Sequence, residues 1–301
     1  MKVFTLDQVR AKVKALDAIP SIPTVIQPLS AMLSQPPEQV NLEKMLKLAA
    51  CDSTITAQCL RMANSPLFGR RKTETLRSAV LALGMKRVES ILMGCCLNKM
   101  VPPDKWAFDS LTFWRHSLGC ALLSQKLAKL IGYPEGDKAY LAGLLHDLGI
   151  LVNTLICTEA LRECIRDAAQ KQVPLDVAEQ EHLGFTHCQS GRILAEQWSF
   201  PPDIVEVVAC HHTLGSATHA HDLVALVHVS DLLCRMRDLG YGYYEAVGVD
   251  LTADPGWKIL LAQYPVLAKT DIARFTMDID DSMEEITLLV DAVFKPQVAH
   301  V

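Results

Sequence analysis

Five histidines and two aspartates occur in segments of this sequence that are otherwise rich in leucine, valine and alanine. They are His116, His146, Asp147, His187, His211, His212 and Asp231. A buried imidazole or carboxylate is costly unless a hydrogen bond, an ion pair or a metal satisfies it. Each residue taken alone is more often a hydrogen-bonded core residue, and for the His146–Asp147 pair the two interpretations are about equally supported. Seven such groups on five predicted helices favour a site for one or two divalent metals, since imidazole and carboxylate are good ligands for iron, manganese and zinc.

The chemistry that such a site could perform is the hydrolysis of phosphoesters. Two metal ions roughly 3.5–4 Å apart, bridged by a carboxylate, activate water for this reaction. Asp147 is the predicted bridging ligand because it adjoins His146 and is central to the set in chain order. If the protein is an enzyme, Asp147 is therefore its predicted catalytic residue.

The stretch 137–149, DKAYLAGLLHDLG, carries the central pair of these residues. Its leucines recur at helical spacing, which predicts a buried helix with His146 and Asp147 on its inner face. The other candidate ligands also lie in segments with helical patterns: 111–131, 186–198, 203–212 and 221–240. No segment shows the alternation of apolar and polar residues that is typical of strands. The sequence therefore predicts an all-α fold.

The composition limits the classes of protein to which the chain can belong. Its 301 residues are 50% hydrophobic and carry a net charge of −5. Such a chain can bury a large core, and it has no overall attraction for nucleic acid or for anionic membranes. No apolar run is expected to reach the roughly 18 residues of a membrane-spanning helix. The N-terminus lacks the apolar core of a signal peptide, so a cytoplasmic location is expected.

The ten cysteines occur singly or as the pair Cys95 and Cys96, without a C-x-x-C motif. Their spacings match neither a zinc knuckle nor a disulfide framework. We therefore expect reduced thiols in the core, as in a cytoplasmic protein.

A helix–glycine–helix pattern around Gly84, with Lys86 and Arg87 at the turn, resembles a helix-turn-helix motif. The second helix of that pattern, 85–100, has almost no polar face with which to read a DNA groove. Recognition helices need side chains that contact base edges, so nucleic-acid binding is not expected.

The order of the candidate ligands, with His187 in an H-x-x-x-G setting, resembles that of the HD superfamily of metal-dependent phosphohydrolases. Further motifs occur in the order IPSIPTVI, DSTITAQCLRMANSPLFG, SAVLALGMKRVESIL, FWRHS, AGLLHDLGIL, EHLGFTH and ACHH. Together they resemble an HDOD domain, the HD-related output domain of bacterial signalling proteins, over roughly residues 15–235. The resemblance implies an HD-like helical bundle and assigns the ligand positions of that family to the seven residues named above.

The chain is predicted to have three parts, with the first boundary at Pro102 and Pro103. Residues 1–103 form an N-terminal helical subdomain of the HDOD unit, 104–240 an HD-like subdomain with the metal site, and 241–301 a C-terminal helical extension. Residues 20–100 are too apolar for an exposed arm, so we expect them to pack against the HD-like part as one cooperative unit.

Two departures from the related HD-GYP cyclic-dinucleotide phosphodiesterases bear on function. Those enzymes have a lysine soon after the HD pair, in HD-x-G-K, whereas Ile150 follows Gly149 here. They also have an acidic residue and a G-Y-P motif after the paired histidines, whereas this chain has Thr213 followed by LGS. A lysine beside a phosphodiester would stabilise the transition state, so hydrolysis of cyclic di-GMP is not expected.

The HDOD family is generally regarded as regulatory, and the resemblance therefore implies a bacterial signal-transduction module. Such a module would bind a signalling protein partner or a small phosphorylated ligand, with iron, manganese or zinc in its HD-like site. The alternative, favoured by the full set of ligands, is a metal-dependent phosphohydrolase acting on a nucleotide or another phosphoester.

Overall fold

All regular secondary structure in the described part of the chain is helical. The structure, a computed structural model, describes residues 4–18, 22–50, 52–68, 72–237, 239–241 and 250–294. Within these ranges no strand occurs, so the predicted all-α fold is confirmed.

Six α-helices precede the proline-rich boundary near residue 103, and nine follow it within the described ranges. The first group is α1 (Leu6–Ala15), α2 (Gln27–Leu33), α3 (Leu42–Ala50), α4 (Ser53–Ala63), α5 (Leu76–Leu83) and α6 (Met85–Met100). The second group begins with α7 (Ser110–Ile131), α8 (Gly136–Leu145), α9 (Leu148–Lys171), α10 (Leu175–Leu183) and α11 (His187–Gln197). It ends with α12 (Pro202–Cys210), α13 (His221–Arg235), α14 (Pro255–Gln263) and α15 (Ile272–Phe294).

Short polar residues fix where the helices that carry His116 and His187 begin. Asp109 accepts a hydrogen bond from a backbone N–H in the first turn of α7. Thr186 forms a capping box with Gln189 at the start of α11. These side chains satisfy backbone donors that a helix N-terminus leaves free, and so define the first turn of each helix.

Two close helix contacts bring the ligand-bearing segments together. A methyl group added at Gly143 in α8 would lie 2.6 Å from the backbone oxygen of Cys120 in α7. A methyl group added at Gly149 in α9 would lie 1.7 Å from the carbonyl oxygen of His187 in α11. Only glycine allows backbones to approach this closely. The turn between α8 and α9 is consequently held between α7 on one side and α11 on the other.

The N-terminal helices pack on the ligand-bearing helices without a break in the core. Helix α1 lies against α9 and α11, α6 lies against α8, and α15 contacts both α4 and α7. One cluster of buried apolar side chains extends from Val9 in α1 to Phe294 in α15. The expected packing of the N-terminal helices is therefore present, whereas the three-part division at residues 103 and 240 stays a prediction.

One stretch, Gly136–Lys171, is long and apolar enough to cross a membrane by length and composition alone. The expectation that no apolar stretch would reach this length was wrong at this place, because α8 and α9 follow each other with only a two-residue turn between them. In the fold, 83% of the most apolar window of this stretch is buried. The core helices of a globular domain have the same property, so the stretch is weak evidence for a membrane span.

Candidate metal centre

The seven residues selected from the sequence converge on one cluster in the described part of the chain. Their positions are α7 for His116, the turn between α8 and α9 for His146 and Asp147, the start of α11 for His187, the end of α12 for His211 and His212, and α13 for Asp231. Six of them are at most 4% exposed, and His212 is partly buried. Six helices and their ends thus enclose the cluster, which we call the HD cluster.

The His146–Asp147 pair does not lie inside a helix, as the leucine spacing predicted. Helix α8 ends at Leu145 and α9 begins at Leu148, so that the pair forms the turn between them. Both flanking leucines are buried, and the apolar pattern therefore continues through the turn. For this reason the periodicity of the sequence could not reveal the interruption.

The carboxylate of Asp147 lies at the centre of the HD cluster. Its Oδ2 atom is 3.4 Å from His116 Nε2 and 3.2 Å from His146 Nε2. Its Oδ1 atom is 3.5 Å from His187 Nε2 and 3.4 Å from His211 Nε2. Each carboxylate oxygen thus faces a separate pair of imidazoles, which is the arrangement expected of a carboxylate that bridges two metal ions.

The remaining predicted ligands complete the two sides of the cluster. On the first side, Asp231 Oδ1 lies 3.3 Å from His116 Nε2, which in turn is 3.2 Å from His146 Nε2. On the second side, the rings of His211 and His212 are 4.1 Å apart between centroids, and His187 is 5.1 Å from His212. Potential ligand atoms on each side lie within 4.8 Å of one another.

Three of the imidazoles donate from Nδ1 to backbone carbonyl oxygens outside the cluster. His116 donates to Leu239 at 2.5 Å, His146 donates to Gly143 at 2.8 Å, and His211 donates to a residue one turn earlier in α12 at 3.1 Å. When the rings are uncharged, this bonding places the proton on Nδ1 and leaves the lone pair of Nε2 directed towards Asp147, whereas a protonated ring donates from Nε2 to Asp147. Metal-binding histidines are commonly oriented in this way by their second nitrogen.

His187 has the same orientation, but its partner is a carboxylate. Its Nδ1 atom is 2.7 Å from Oε2 of the fully buried Glu179, which also accepts a 2.7 Å hydrogen bond from the His187 backbone. Asn153 donates to the other carboxylate oxygen at 2.9 Å and holds it in place. His187 Nε2 is buried and has no hydrogen-bond partner among the described residues. An unsatisfied buried nitrogen is costly, and a metal at this position would satisfy it, so the residues present fit a metal ion.

The electrostatic field of the cluster attracts cations. Burial alone would raise the pKa of Asp147, but the charge of His146 and hydrogen bonds from His116, His146 and His211 hold it well below the usual range. Burial lowers the pKa of His116, yet its hydrogen bonds to Asp147 and Asp231 raise that pKa well above the usual value. The carboxylates therefore remain ionised at neutral pH and favour a positive charge beside them.

Protons alone cannot satisfy every ring of the cluster. Burial and the charges of His211 and His187 hold the pKa of His212 well below the usual value. Asp231 is already paired with Arg235, which donates to its two oxygens at 3.0 and 2.8 Å. A divalent metal would neutralise the carboxylate charge while leaving the imidazoles uncharged, which protonation of the rings cannot do.

Sequence patterns did not identify several side chains that the structure places at the cluster. Tyr241 donates to Asp147 Oδ2 at 2.6 Å from a distant position in the chain, and no local pattern could have indicated this. Glu179 occupies an ordinary helical position in α10. Cys120 follows His116 by one helical turn and Cys188 directly follows His187, so their spacing relative to the histidines was the available signal. Burial would raise the pKa of Cys188, but the charges of His211 and His187 lower it to about 7.

The family of the protein follows from a match over most of the chain. The model of the HDOD domain matches residues 19–214. The chain belongs to the HDOD domain family. Six of the seven residues of the HD cluster lie within the matched range, and Asp231 lies beyond it.

Similar proteins agree with this assignment. An uncharacterised protein of Treponema pallidum (strain Nichols) is 24% identical over an alignment of 239 residues, and the match covers 77% of this HDOD protein and 45% of that protein. This chain thus spans about half the length of the curated relative it matches. An HDOD domain protein of unknown function from Geobacter sulfurreducens has a TM-score of 0.76 at 26% identity, over 96% of this chain and 100% of the other.

Two further crystal structures share the fold at lower identity. A candidate phosphohydrolase from Shewanella amazonensis has a TM-score of 0.70 at 23% identity, over 94% of this chain and 98% of the other. A candidate signal transduction protein from Marinobacter aquaeolei has a TM-score of 0.66 at 19% identity, over 88% and 58% respectively. The resemblance to HDOD proteins and the helical architecture expected from it are therefore confirmed.

Proposed function

We propose that this HDOD protein is a bacterial cytoplasmic signal-transduction module, which acts by binding a protein partner or a small ligand and contains one or two divalent metals (iron, manganese or zinc). The burial of Asp147 is the observation that supports a regulatory centre most directly, because only 4% of this residue is exposed. The four imidazoles that face its carboxylate are at most 1% exposed. A phosphoester would have to reach this carboxylate to be hydrolysed, and the imidazoles cover it.

The positions at which HD-GYP enzymes carry charge also favour a regulatory role. Ile150 stands where those enzymes have a lysine, and it is 1% exposed in the first turn of α9. Thr213 stands where they have an acidic residue. Without these charges the protein has less means to stabilise the transition state of phosphodiester cleavage or to recognise a cyclic dinucleotide.

The second candidate function is a metal-dependent phosphohydrolase that acts on a nucleotide or another phosphoester. The complete set of histidine and aspartate side chains around Asp147 favours it, because this set could hold two metals and an activated water. The name of the Shewanella amazonensis protein points to the same chemistry, although at 23% identity it supports the fold alone. A simple nucleotide is a better candidate substrate than a cyclic dinucleotide, since its recognition does not need the absent G-Y-P motif.

The two candidates are separated by a hydrolysis assay on protein loaded with manganese or iron. We expect no hydrolysis of cyclic di-GMP when the products are measured by chromatography. The protein is used in excess over the substrate, so that even a single round of hydrolysis would be detected. Metal-dependent turnover at ~1 s⁻¹ or faster, within the ordinary range of enzymes, would overturn the regulatory proposal in favour of the second candidate. The same assay on simple nucleotides should include Asp147→Ala, because true turnover must disappear when the bridging carboxylate is removed.

A cavity near the boundary between the N-terminal helices and α7 is where we propose that a small phosphorylated ligand binds. Its volume is about 410 Å³, and Arg61, Lys99, Trp106 and Phe294 are among the residues that line it. None of the described residues that line it is acidic. Lys99 forms an ion pair with Asp52, whereas the buried Nε of Arg61 has no hydrogen-bond partner among the described residues. A guanidinium with a buried N–H still available in such a cavity favours an anion, and phosphate suits its bidentate geometry.

Inorganic phosphate should raise the melting temperature of the wild-type protein by about 2–4 °C at saturating concentration. Sodium chloride at equal ionic strength provides the reference, so that general salt effects are subtracted. The shift should disappear in Arg61→Gln. It should persist in Arg77→Gln, because Arg77 lies on an exposed part of the same half of the chain and pairs with Glu43. An equal shift in wild type and Arg61→Gln would exclude this cavity as the phosphate site.

A further inference from the structure

We propose that Cys120 and Cys188 are ligands of the metal centre, which then consists of two mixed imidazole–thiolate sites suited to zinc. This inference rests on the proposed metal centre and concerns which side chains complete it. It differs from the expectation, drawn from cysteine spacing, that every thiol of the chain is an ordinary core residue. Among the described cysteines, these two are the ones that lie within a group of candidate ligands.

The first site consists of His116, Cys120, His146 and Asp231. In a tetrahedral zinc site with Zn–N near 2.0–2.1 Å and Zn–S near 2.3 Å, two nitrogen or oxygen ligands lie roughly 3.3 Å apart, and a nitrogen and a sulfur roughly 3.5 Å apart. His116 Nε2 is 3.2 Å from His146 Nε2, 3.3 Å from Asp231 Oδ1 and 3.5 Å from Cys120 Sγ. All three separations match the edges of one zinc tetrahedron.

The second site consists of His187, Cys188, His211 and His212. Cys188 Sγ is 3.9 Å from both ring nitrogens of His211, a few tenths of an ångström longer than a tetrahedral edge. Both nitrogen distances are equal, so the sulfur lies beside the ring and not in line with a single N–H. One ligand atom from each of the four residues lies within 4.8 Å of those of the others, and the group includes His187, whose Nε2 has no hydrogen-bond partner among the described residues.

The alternative is that the two thiols merely fill space. The thiol of Cys120 also interacts with the thiol of Cys234. A buried thiol can behave as a small apolar side chain, and this would explain Cys120 alone. It does not explain why one cysteine lies in each half of the cluster, each within reach of the histidines that face Asp147.

Thiolate ligands would determine both the metal and its role. Soft thiolates favour zinc, whereas manganese prefers carboxylate and water ligands. Four protein side chains would surround each metal, as in closed structural zinc sites, and the shared Asp147 would occupy the side on which a catalytic site keeps a position open for water. A centre of this composition would stabilise the fold of a signalling module, and it leaves no coordination position for the water that a hydrolase needs.

X-ray absorption at the zinc edge of the zinc-loaded, full-length protein tests the proposal. We expect a sulfur shell at about 2.3 Å beside the nitrogen and oxygen shell at about 2.0–2.1 Å. Cys120→Ser and Cys188→Ser should each halve the sulfur contribution. Cys210→Ser is the matched control and should leave the sulfur contribution unchanged. Cys210 adjoins His211 as Cys188 adjoins His187, but it lies outside both groups of ligands and lines a cavity elsewhere.

The outcomes distinguish the thiolate ligands from the metal centre itself. Stoichiometric zinc with only nitrogen and oxygen neighbours would overturn the thiolate ligands and leave the metal centre standing. Failure to bind zinc while iron or manganese still binds would likewise overturn the thiolate ligands alone, and failure to bind any of the three metals would overturn both. If a serine variant does not fold, the wild type still gives the answer, since cobalt in place of zinc must then show thiolate-to-cobalt charge-transfer absorption in the near ultraviolet, and its absence would overturn the proposal.

Discussion

Replacing Asp147 by asparagine should remove nearly all metal from the protein while leaving its helices folded. Among the residues that the structure describes, Asp147 is the one whose carboxylate faces both halves of the cluster, at 3.2 to 3.5 Å from four imidazole nitrogens. Loss of a partner outside the ligand set typically weakens metal binding 10- to 100-fold. Asp147 is itself a shared, charged ligand, and asparagine has nearly the same shape but no charge. The substitution should therefore weaken metal binding by more than about 100-fold.

Elemental analysis after dialysis without chelator is the measurement. The wild type should contain about one or two equivalents of zinc, iron or manganese, and Asp147→Asn should contain less than about a tenth of an equivalent. Asp254→Asn is the control, because Asp254 also pairs with a partly buried histidine, His228, at 3.1 Å but lies outside the cluster. Wild-type protein that stays below a tenth of an equivalent after metal supplementation would refute the metal centre and restore a hydrogen-bonded core as its explanation.

Removal of residues 1–103 should leave a C-terminal fragment that is insoluble or molten. Helix α6 contributes eight buried apolar side chains between Val88 and Met100 to the shared core. The fragment would expose the apolar surfaces of α8, α9 and α11 against which α6 and α1 pack. Burial of apolar side chains contributes roughly 1.5–3 kcal/mol each, so the loss of such a layer exceeds the whole stability of a typical domain.

The fragment 104–301 can be compared with the full chain by near-ultraviolet circular dichroism and dye binding. The full chain should unfold in one cooperative transition, and the fragment should keep helical content but lose fixed aromatic signals. Co-expression of residues 1–103 as a separate chain should restore solubility and serves as the control. A monodisperse fragment with a sharp melting transition would instead establish that the N-terminal helices form an independent domain.

The sequence was sufficient for the parts of the molecule that rest on local or ordered patterns. Helical periodicity predicted the helices, and the order of the histidines and aspartates identified the cluster. The motifs also led to the correct family. These features can be predicted from the sequence because each depends on neighbouring residues or on the order of motifs along the chain.

What the sequence did not reveal depends on contacts between distant segments. The turn at His146 and Asp147 was hidden because apolar burial continues on both sides of it. Tyr241 reaches Asp147 only after the chain has passed through α13, and nothing in its local sequence indicates this contact. The cysteines were interpreted from their spacing to one another, whereas Cys120 and Cys188 matter through their distances from histidines. Long-range geometry of this kind is absent from a single sequence.

The distribution of the cluster over α7, the α8–α9 turn, α11, α12 and α13 also sets an order of events during folding. His116 is the first of the seven side chains to be synthesised and Asp231 is the last, so a nascent chain cannot assemble the centre until α13 has emerged. In the unfolded chain only sequence neighbours such as His146 and Asp147 lie close together, so the complete set of ligands exists only in the folded protein. A metal that binds here would therefore act on a bundle that has already closed: it would slow unfolding far more than it would speed folding. The metal would therefore lengthen the lifetime of the native protein without accelerating its folding.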